Sequence, residues 1–293
     1  VSEGDAYGLD ARAVGRSFDR ASAQYDDAAV LQKQVREELL DRLQLVAFEP
    51  RVVVDLGCGT AHATRALRDR YRAARVVAID LAPRMLAAAK ERMGWFRRFD
   101  RVQADATRLP LRAGCVDLLY SSLMLQWAPD LDAAFAEVRR VLAPRGYFTF
   151  TTFGPDTLGE LRAAWAEVDD YVHVNRFVDM HEVGDALVRA GLADPVMDVE
   201  RITVTYADVR GLMRDLKSIG AHNVAAGRPP GLTGPGRLRK LEAAYERFRR
   251  DGRLPATYEV VYGQAWAPGH EPPKRARRGE ATIDVGSIGR RQR

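Results

Sequence analysis

Val52-Val53-Val54-Asp55-Leu56-Gly57-Cys58-Gly59-Thr60 is the stretch on which the reading of this chain turns. Three successive valines read as a short, fully buried strand. Two glycines follow, where the backbone turns tightly and approaches a ligand closely. Residues 61–72 return to helical spacing, so the turn delivers the chain to a helix N-terminus with free N–H groups.

The same rhythm extends outward. Residues 75–79 read as a second strand ending at Asp80, and Pro83 suits the first turn of a helix to about residue 92. Residues 100–104 read as a third strand ending at Asp105, 116–120 as a fourth and 147–152 as a fifth. A helix over 131–142 stops at Pro144 and Gly146. Strands that alternate with helices, and are apolar without clean alternation, predict a parallel sheet covered on both faces. Upstream, 10–22 and 28–46 read as helices. Downstream the rhythm breaks: 156–169, 179–190, 208–218 and 236–250 look helical, and 199–206 and 258–266 look like longer strands that complete the sheet, one of them antiparallel.

Composition sets the outer limits. The chain has 293 residues, a net charge of +5, 46% hydrophobic and 29% charged residues, enough for a proper core. Its apolar runs are too short for a membrane span, and the opening Val-Ser-Glu-Gly-Asp is not the pattern of a signal peptide. Two cysteines, Cys58 and Cys115, are too few for a disulfide framework or a zinc site and fit a reduced, cytoplasmic setting, with no metal expected. The basic stretch after Lys274 lacks apolar periodicity and is expected to be a disordered tail.

The glycine turn lacks the third glycine of a dinucleotide fingerprint, where His62 stands instead. It carries Asp55, an acid that would repel a pyrophosphate but suits a cationic ligand. S-adenosylmethionine, with its sulfonium and ammonium groups, is such a ligand. Asp80 is placed to accept hydrogen bonds from two ribose hydroxyls, and Asp105 with Ala106 to meet the adenine edge. Leu81 and Met85 pad the adenine face. Asp55, Asp80 and Asp105 stand at three successive strand ends, and ligands of open α/β sheets bind outside such ends.

These residues resemble the class I methyltransferase family, with Asp55-Leu56-Gly57-Cys58-Gly59 as its first motif, Asp80 as its ribose acid and Asp105 as its adenine contact. The resemblance implies a Rossmann-like α/β fold: a mostly parallel seven-stranded sheet, helices on both faces and an inserted helical cap. A closer likeness, from about Ser17 to Trp266, is to malonyl-acyl carrier protein O-methyltransferases of biotin synthesis. Ser17-Phe18-Asp19-Arg20-Ala21 followed by Tyr25, Ser121-Ser122-Leu123-Met124-Leu125-Gln126-Trp127, Asn175-Arg176-Phe177, Leu216-Lys217-Ser218-Ile219-Gly220-Ala221 and Pro255-Ala256-Thr257-Tyr258-Glu259 carry it. One departure is Thr60-Ala61-His62, where many relatives have a further glycine.

The resemblance implies methyl transfer from S-adenosylmethionine to the free carboxylate of a malonyl thioester, on acyl carrier protein or coenzyme A. Such a carboxylate, with a pKa of roughly 3–4, is already ionised and needs no general base; His62, His173, His181 and His222 read as surface or capping residues. The cofactor candidates are Asp55, Gly57, Gly59, Asp80, Leu81, Met85, Asp105, Ala106 and Leu123. On the acceptor side stand Tyr25, Gln126, Trp127 and Arg176, the arginine as a bidentate grip on the carboxylate. Residues 1–50 are expected to form N-terminal helices and a lid, 51–153 the cofactor core, 154–267 the cap and last strands, and 268–293 the tail. Helix 236–250, with Arg239, Lys240, Arg247 and Arg250 opposite an apolar stripe, is the expected docking face for an acidic carrier protein. The alternative is a methyltransferase-like assembly factor of respiratory complex I acting on a protein arginine, which shares the pattern at Gly154-Pro155-Asp156-Thr157-Leu158 and Leu212-Met213. A nucleic-acid methyltransferase is suggested only by a pI near 9.3, without a supporting motif.

Overall fold

The computed structural model describes residues 8–47, 49–94, 98–221, 227 and 233–269. The basic tail and His222 lie outside the described residues. Three helices lead in: α1 (Ala11–Ala21), α2 (Tyr25–Ala28) and α3 (Val30–Arg42). The alternating stretch is β1 (Val52–Leu56), α4 (His62–Arg70), β2 (Arg75–Asp80), α5 (Pro83–Glu91), β3 (Asp100–Gln103), β4 (Val116–Ser122), α6 (Leu131–Val141) and β5 (Leu142–Phe153). Then come α7 (Gly159–Ala166), α8 (Met180–Arg189), β6 (Ala193–Tyr206), α9 (Val209–Ser218), α10 (Pro235–Glu246) and β7 (Leu254–Trp266).

The seven strands form one sheet in the order β3-β2-β1-β4-β5-β7-β6. Six point the same way, β1–β5 as parallel neighbours, and β7 runs antiparallel between β5 and β6. The order reverses between β1 and β4, so a crevice opens at their carboxyl ends, the switch point where such sheets take ligands. Buried side chains cover both faces. On one, α3 packs Leu31, Val35 and Leu39. On the other, α6 packs Phe135, Val138 and Val141, with Phe135 5.9 Å from Phe148 and 5.7 Å from Phe150 between ring centroids. Each such side chain contributes roughly 1.5–3 kcal/mol by leaving water.

Four boundaries differ from expectation, each for a local reason. No loop separates α6 from β5: Leu142 already pairs with Val116, and the register shifts between Val116 and Leu118, across from the donorless Pro144. β6 begins six residues early because its polar start, with Asp194 and Asp198, is carried by pairing to β7. α7 starts late, since Leu158 sits in the left-handed region (φ 55°) and the Thr157 hydroxyl donates to the Glu259 carbonyl at 3.1 Å. α10 ends at Glu246, after which the backbones of Arg250 and Arg253 exchange hydrogen bonds of 2.9 and 2.8 Å and turn the chain into β7.

Candidate active site

The glycine turn closes over the end of β2. Gly57 and Cys58 N–H both donate to the Ile79 carbonyl, at 2.8 and 3.0 Å. Gly57 has φ 76°, and a Cβ there would stand 2.2 Å from Met124 Cγ. Only glycine meets both demands. Asp80 takes Gly59 N–H on Oδ2 and Ala82 N–H on Oδ1, each at 2.8 Å. A carboxylate has about four acceptor sites, so two remain for a ligand. Burial pushes the Asp80 carboxyl up, and these N–H groups oppose the shift. Asp105 holds Thr107 N–H and hydroxyl on Oδ1 at 2.9 and 2.8 Å, which leaves Oδ2 open.

These groups line one slot of about 90 Å³. Gly57, Gly59, Asp80, Leu81, Met85, Asp105 and Ala106 form its floor and sides, and Leu123, Met124 and Trp127 its far wall. Leu123 is held at φ 49° by N–H bonds to the Thr151 carbonyl and hydroxyl at 3.1 and 3.0 Å. Such a conformation costs of order 1–3 kcal/mol and is kept by the surrounding structure. Ala11, Val14 and Phe18 of α1 and Tyr25 of α2 roof the slot. Two partly free carboxylates, an apolar slot and a glycine backbone fit an adenosyl group.

Asp55 stands apart from the other cofactor candidates. It does not line the slot, because its side chain points under the turn and accepts the Thr64 hydroxyl at 2.5 Å. It is 1% exposed, and burial, opposed by the Thr64 bond, pushes its carboxyl up to about 7. Its place is to brace the turn onto α4. Ala61, in the same turn, has φ 68°, a region glycine occupies freely.

Trp127 also borders a second, larger cavity of about 750 Å³. Phe153, Leu161, Trp165, Phe177 and Tyr258 give it apolar walls. Arg20, Arg210, Arg214 and Lys217 are exposed around it, and no Asp or Glu stands among its described lining residues. Phe18 sits edge-on to Trp127, 5.3 Å between centroids, at the junction of the two spaces.

Two acceptor-side candidates lie apart from both cavities. Arg176 is exposed and borders a separate surface pocket with Asp179 and Glu182, carboxylates that would oppose an anion. The segment points Asn175 and Phe177 inward and Arg176 out; Asn175 is 7% exposed and its Oδ1 has no hydrogen-bond partner among the described residues. Gln126 lines neither cavity: its amide donates to the Leu123 carbonyl at 2.7 Å and its oxygen lies 3.4 Å from the Thr152 hydroxyl.

The described histidines are engaged. His62 lies 3.2 Å from Asp26, His181 2.8 Å from Asp179, and His173 2.7 Å from Asp169 while stacked at 3.6 Å on Trp165. The α10 docking face also loses two members, since Arg247 and Arg250 fall beyond the helix; Arg247 pairs with Glu167 and covers the Phe248 ring, and Arg250 turns the chain toward β7. Sequence reading missed Met124, Ala104 and the roof residues Ala11 and Val14. It also missed the α9 stripe Arg210, Met213, Arg214 and Lys217, whose i, i+3, i+4, i+7 spacing was the available signal.

The family model described as "Methyltransferase domain" matches residues 54–150. A malonyl-acyl carrier protein O-methyltransferase of Methylovorus sp. is 55% identical over 270 residues, 90% of this chain and 91% of that one. That of Halorhodospira halophila is 52% identical over 100% of both chains. The chain belongs to the malonyl-acyl carrier protein O-methyltransferase family. It is an S-adenosylmethionine-dependent methyltransferase, and the assembly-factor alternative is not favoured. The fold also matches the YcgJ protein of Bacillus subtilis with a TM-score of 0.56 at 16% identity, over 79% of this chain and 99% of that one. No helix among the described residues is long and apolar enough to cross a membrane.

Proposed function

We propose that the protein methylates the free carboxylate of malonyl-acyl carrier protein at an early step of biotin synthesis in the cytoplasm. The observation that carries this is the second cavity: it meets the cofactor slot at Trp127 and is lined by four cations and no described carboxylate. The relatives' shared name supports the same acceptor.

S-adenosylmethionine, when bound, supplies a methyl group activated by its sulfonium. The chain's own task is then alignment and exclusion of water. Asp80 holds the ribose and Asp105 with Ala106 the adenine edge, while Leu81 and Met85 flank the ring and Leu123 shapes the far wall. Phe18, Tyr25 and Trp127 close the junction and keep water from the attacking carboxylate. That carboxylate carries no proton to remove. In this reading residues 1–50 act as the lid, 51–153 as the cofactor core and 154–267 as the cap with the last strands. Rescue of a biotin auxotroph that lacks its own enzyme tests the reading. Growth without biotin is expected, and a folded, expressed protein that fails to rescue would count against it.

A further inference from the structure

We propose that Arg20, Arg210, Arg214 and Lys217 form a rim that binds the phosphate of the carrier protein's 4′-phosphopantetheine arm, at the mouth of the acceptor cavity. The inference rests on the acceptor reading above and specifies where that substrate's charge is held.

Three observations converge. First, the rim draws on two elements far apart in sequence, α1 and α9, which both border this cavity. On α9 the cations at 210, 214 and 217 share one face, with Met213 between them on the cavity wall. Second, the acids of the same helices are turned to other tasks. Asp208 caps α9 through Gly211 N–H at 2.7 Å, Asp215 engages Tyr206, and Asp19 accepts Arg84 N–H at 2.9 Å. Third, of the four cations only Arg210 has a partner among the described residues, Glu242 at 2.5 Å. Three exposed cations at one opening, with no Asp or Glu among the described lining residues, repel one another unless an anion arrives.

The apolar interior says which anion. A phosphate ester at the end of a long, largely uncharged chain matches a basic mouth over an apolar bore. Pantetheine has that form: its phosphate stays at the rim while the arm threads toward Trp127. A cavity of about 750 Å³ lies within the roughly 300–1,000 Å³ typical of small-molecule sites.

The test compares malonyl-carrier protein, malonyl-coenzyme A and malonyl-pantetheine, which lacks the phosphate, with the wild type and an Arg214→Gln/Lys217→Gln variant. Wild-type kcat/KM is expected to favour both phosphate-bearing substrates over malonyl-pantetheine. The variant is expected to reduce that preference at least tenfold, through KM rather than kcat, and to weaken its salt dependence. Unchanged binding of S-adenosylhomocysteine confirms that the variant is folded. If the variant loses activity equally on all three thioesters, or keeps the wild-type preference, the rim is not the phosphate site. A variant that affects only the carrier protein, with coenzyme A unmoved, would also overturn it, in favour of contacts to the carrier's surface. A wild type that methylates none of the three would instead overturn the acceptor reading itself.

Discussion

Asp80→Ala tests the cofactor assignment at its most heavily used residue. In the folded protein the carboxylate receives two backbone N–H groups at 2.8 Å, from Gly59 and Ala82, and keeps two acceptor sites toward the slot. Hydrogen bonds to a charged group contribute roughly 1.5–3 kcal/mol each. Loss of two ribose bonds therefore sets a gross cost of about 3–6 kcal/mol, which water in the vacated space partly offsets. A residual loss of about 1.4 kcal/mol is already tenfold. We expect S-adenosylmethionine affinity to fall between tenfold and a thousandfold. The variant also leaves Gly59 N–H unpaired beside the turn, so melting should drop by a few degrees without loss of cooperativity. Isothermal calorimetry with S-adenosylmethionine and S-adenosylhomocysteine, with a melting curve, reads both. A cooperatively folded variant with unchanged affinity for either ligand would refute the assignment.

Gly57→Ala places a Cβ 2.2 Å from Met124 Cγ at φ 76°, whereas Gly59→Ala at φ 51° meets nothing within 4 Å. Melting of purified variants should show a loss of about 1–2 kcal/mol at both positions for the left-handed backbone and a larger loss at Gly57, where the Met124 clash adds to it, while calorimetry shows weakened cofactor binding for both. Asp55, pushed up to about 7, binds a proton in the native state that it lacks unfolded between about pH 4 and 7. Its contribution is thus fullest below pH 4 and lost as pH rises to 7, so urea titrations should show a steeper fall over that window for wild type than for Asp55→Asn. Tyr25→Phe, in the roof of the slot, should depress kcat several-fold with a melting temperature nearly unchanged. Equal losses in both would make Tyr25 a packing residue only. Arg176→Ala, outside both cavities, should leave KM for malonyl substrates within about twofold, a comparison that initial rates settle.

The sheet was legible because its strands are short, apolar and punctuated by acids and glycines, a pattern set by local chemistry. That Gly57, Gly59, Asp80 and Asp105 border one slot was legible too, since strand ends fix where such side chains can point. Asp55 was not, because one residue along a strand decides between the slot and the space beneath it, and the Thr64 hydroxyl settles that choice from another element. The acceptor side was harder still. Asn175 and Arg176 are neighbours in one segment, and nothing local says which faces inward. Arg20 and Lys217 become one feature only when α1 docks on the cap, where the Ser17 hydroxyl donates to the Gly220 carbonyl at 2.9 Å. The longer β6 was likewise hidden, since its polar first half is ordered by its partner strand.

Methyl transfer to malonyl-carrier protein, set beside butyryl-carrier protein, which has the same arm but no free carboxylate, tests the central claim most directly. With S-adenosylmethionine labelled in its methyl group, the label should appear on the malonyl thioester alone. Mild base should then release it as methanol, as a carboxyl ester requires. Label on both substrates, or label that resists base, would contradict an enzyme that methylates a malonyl carboxylate.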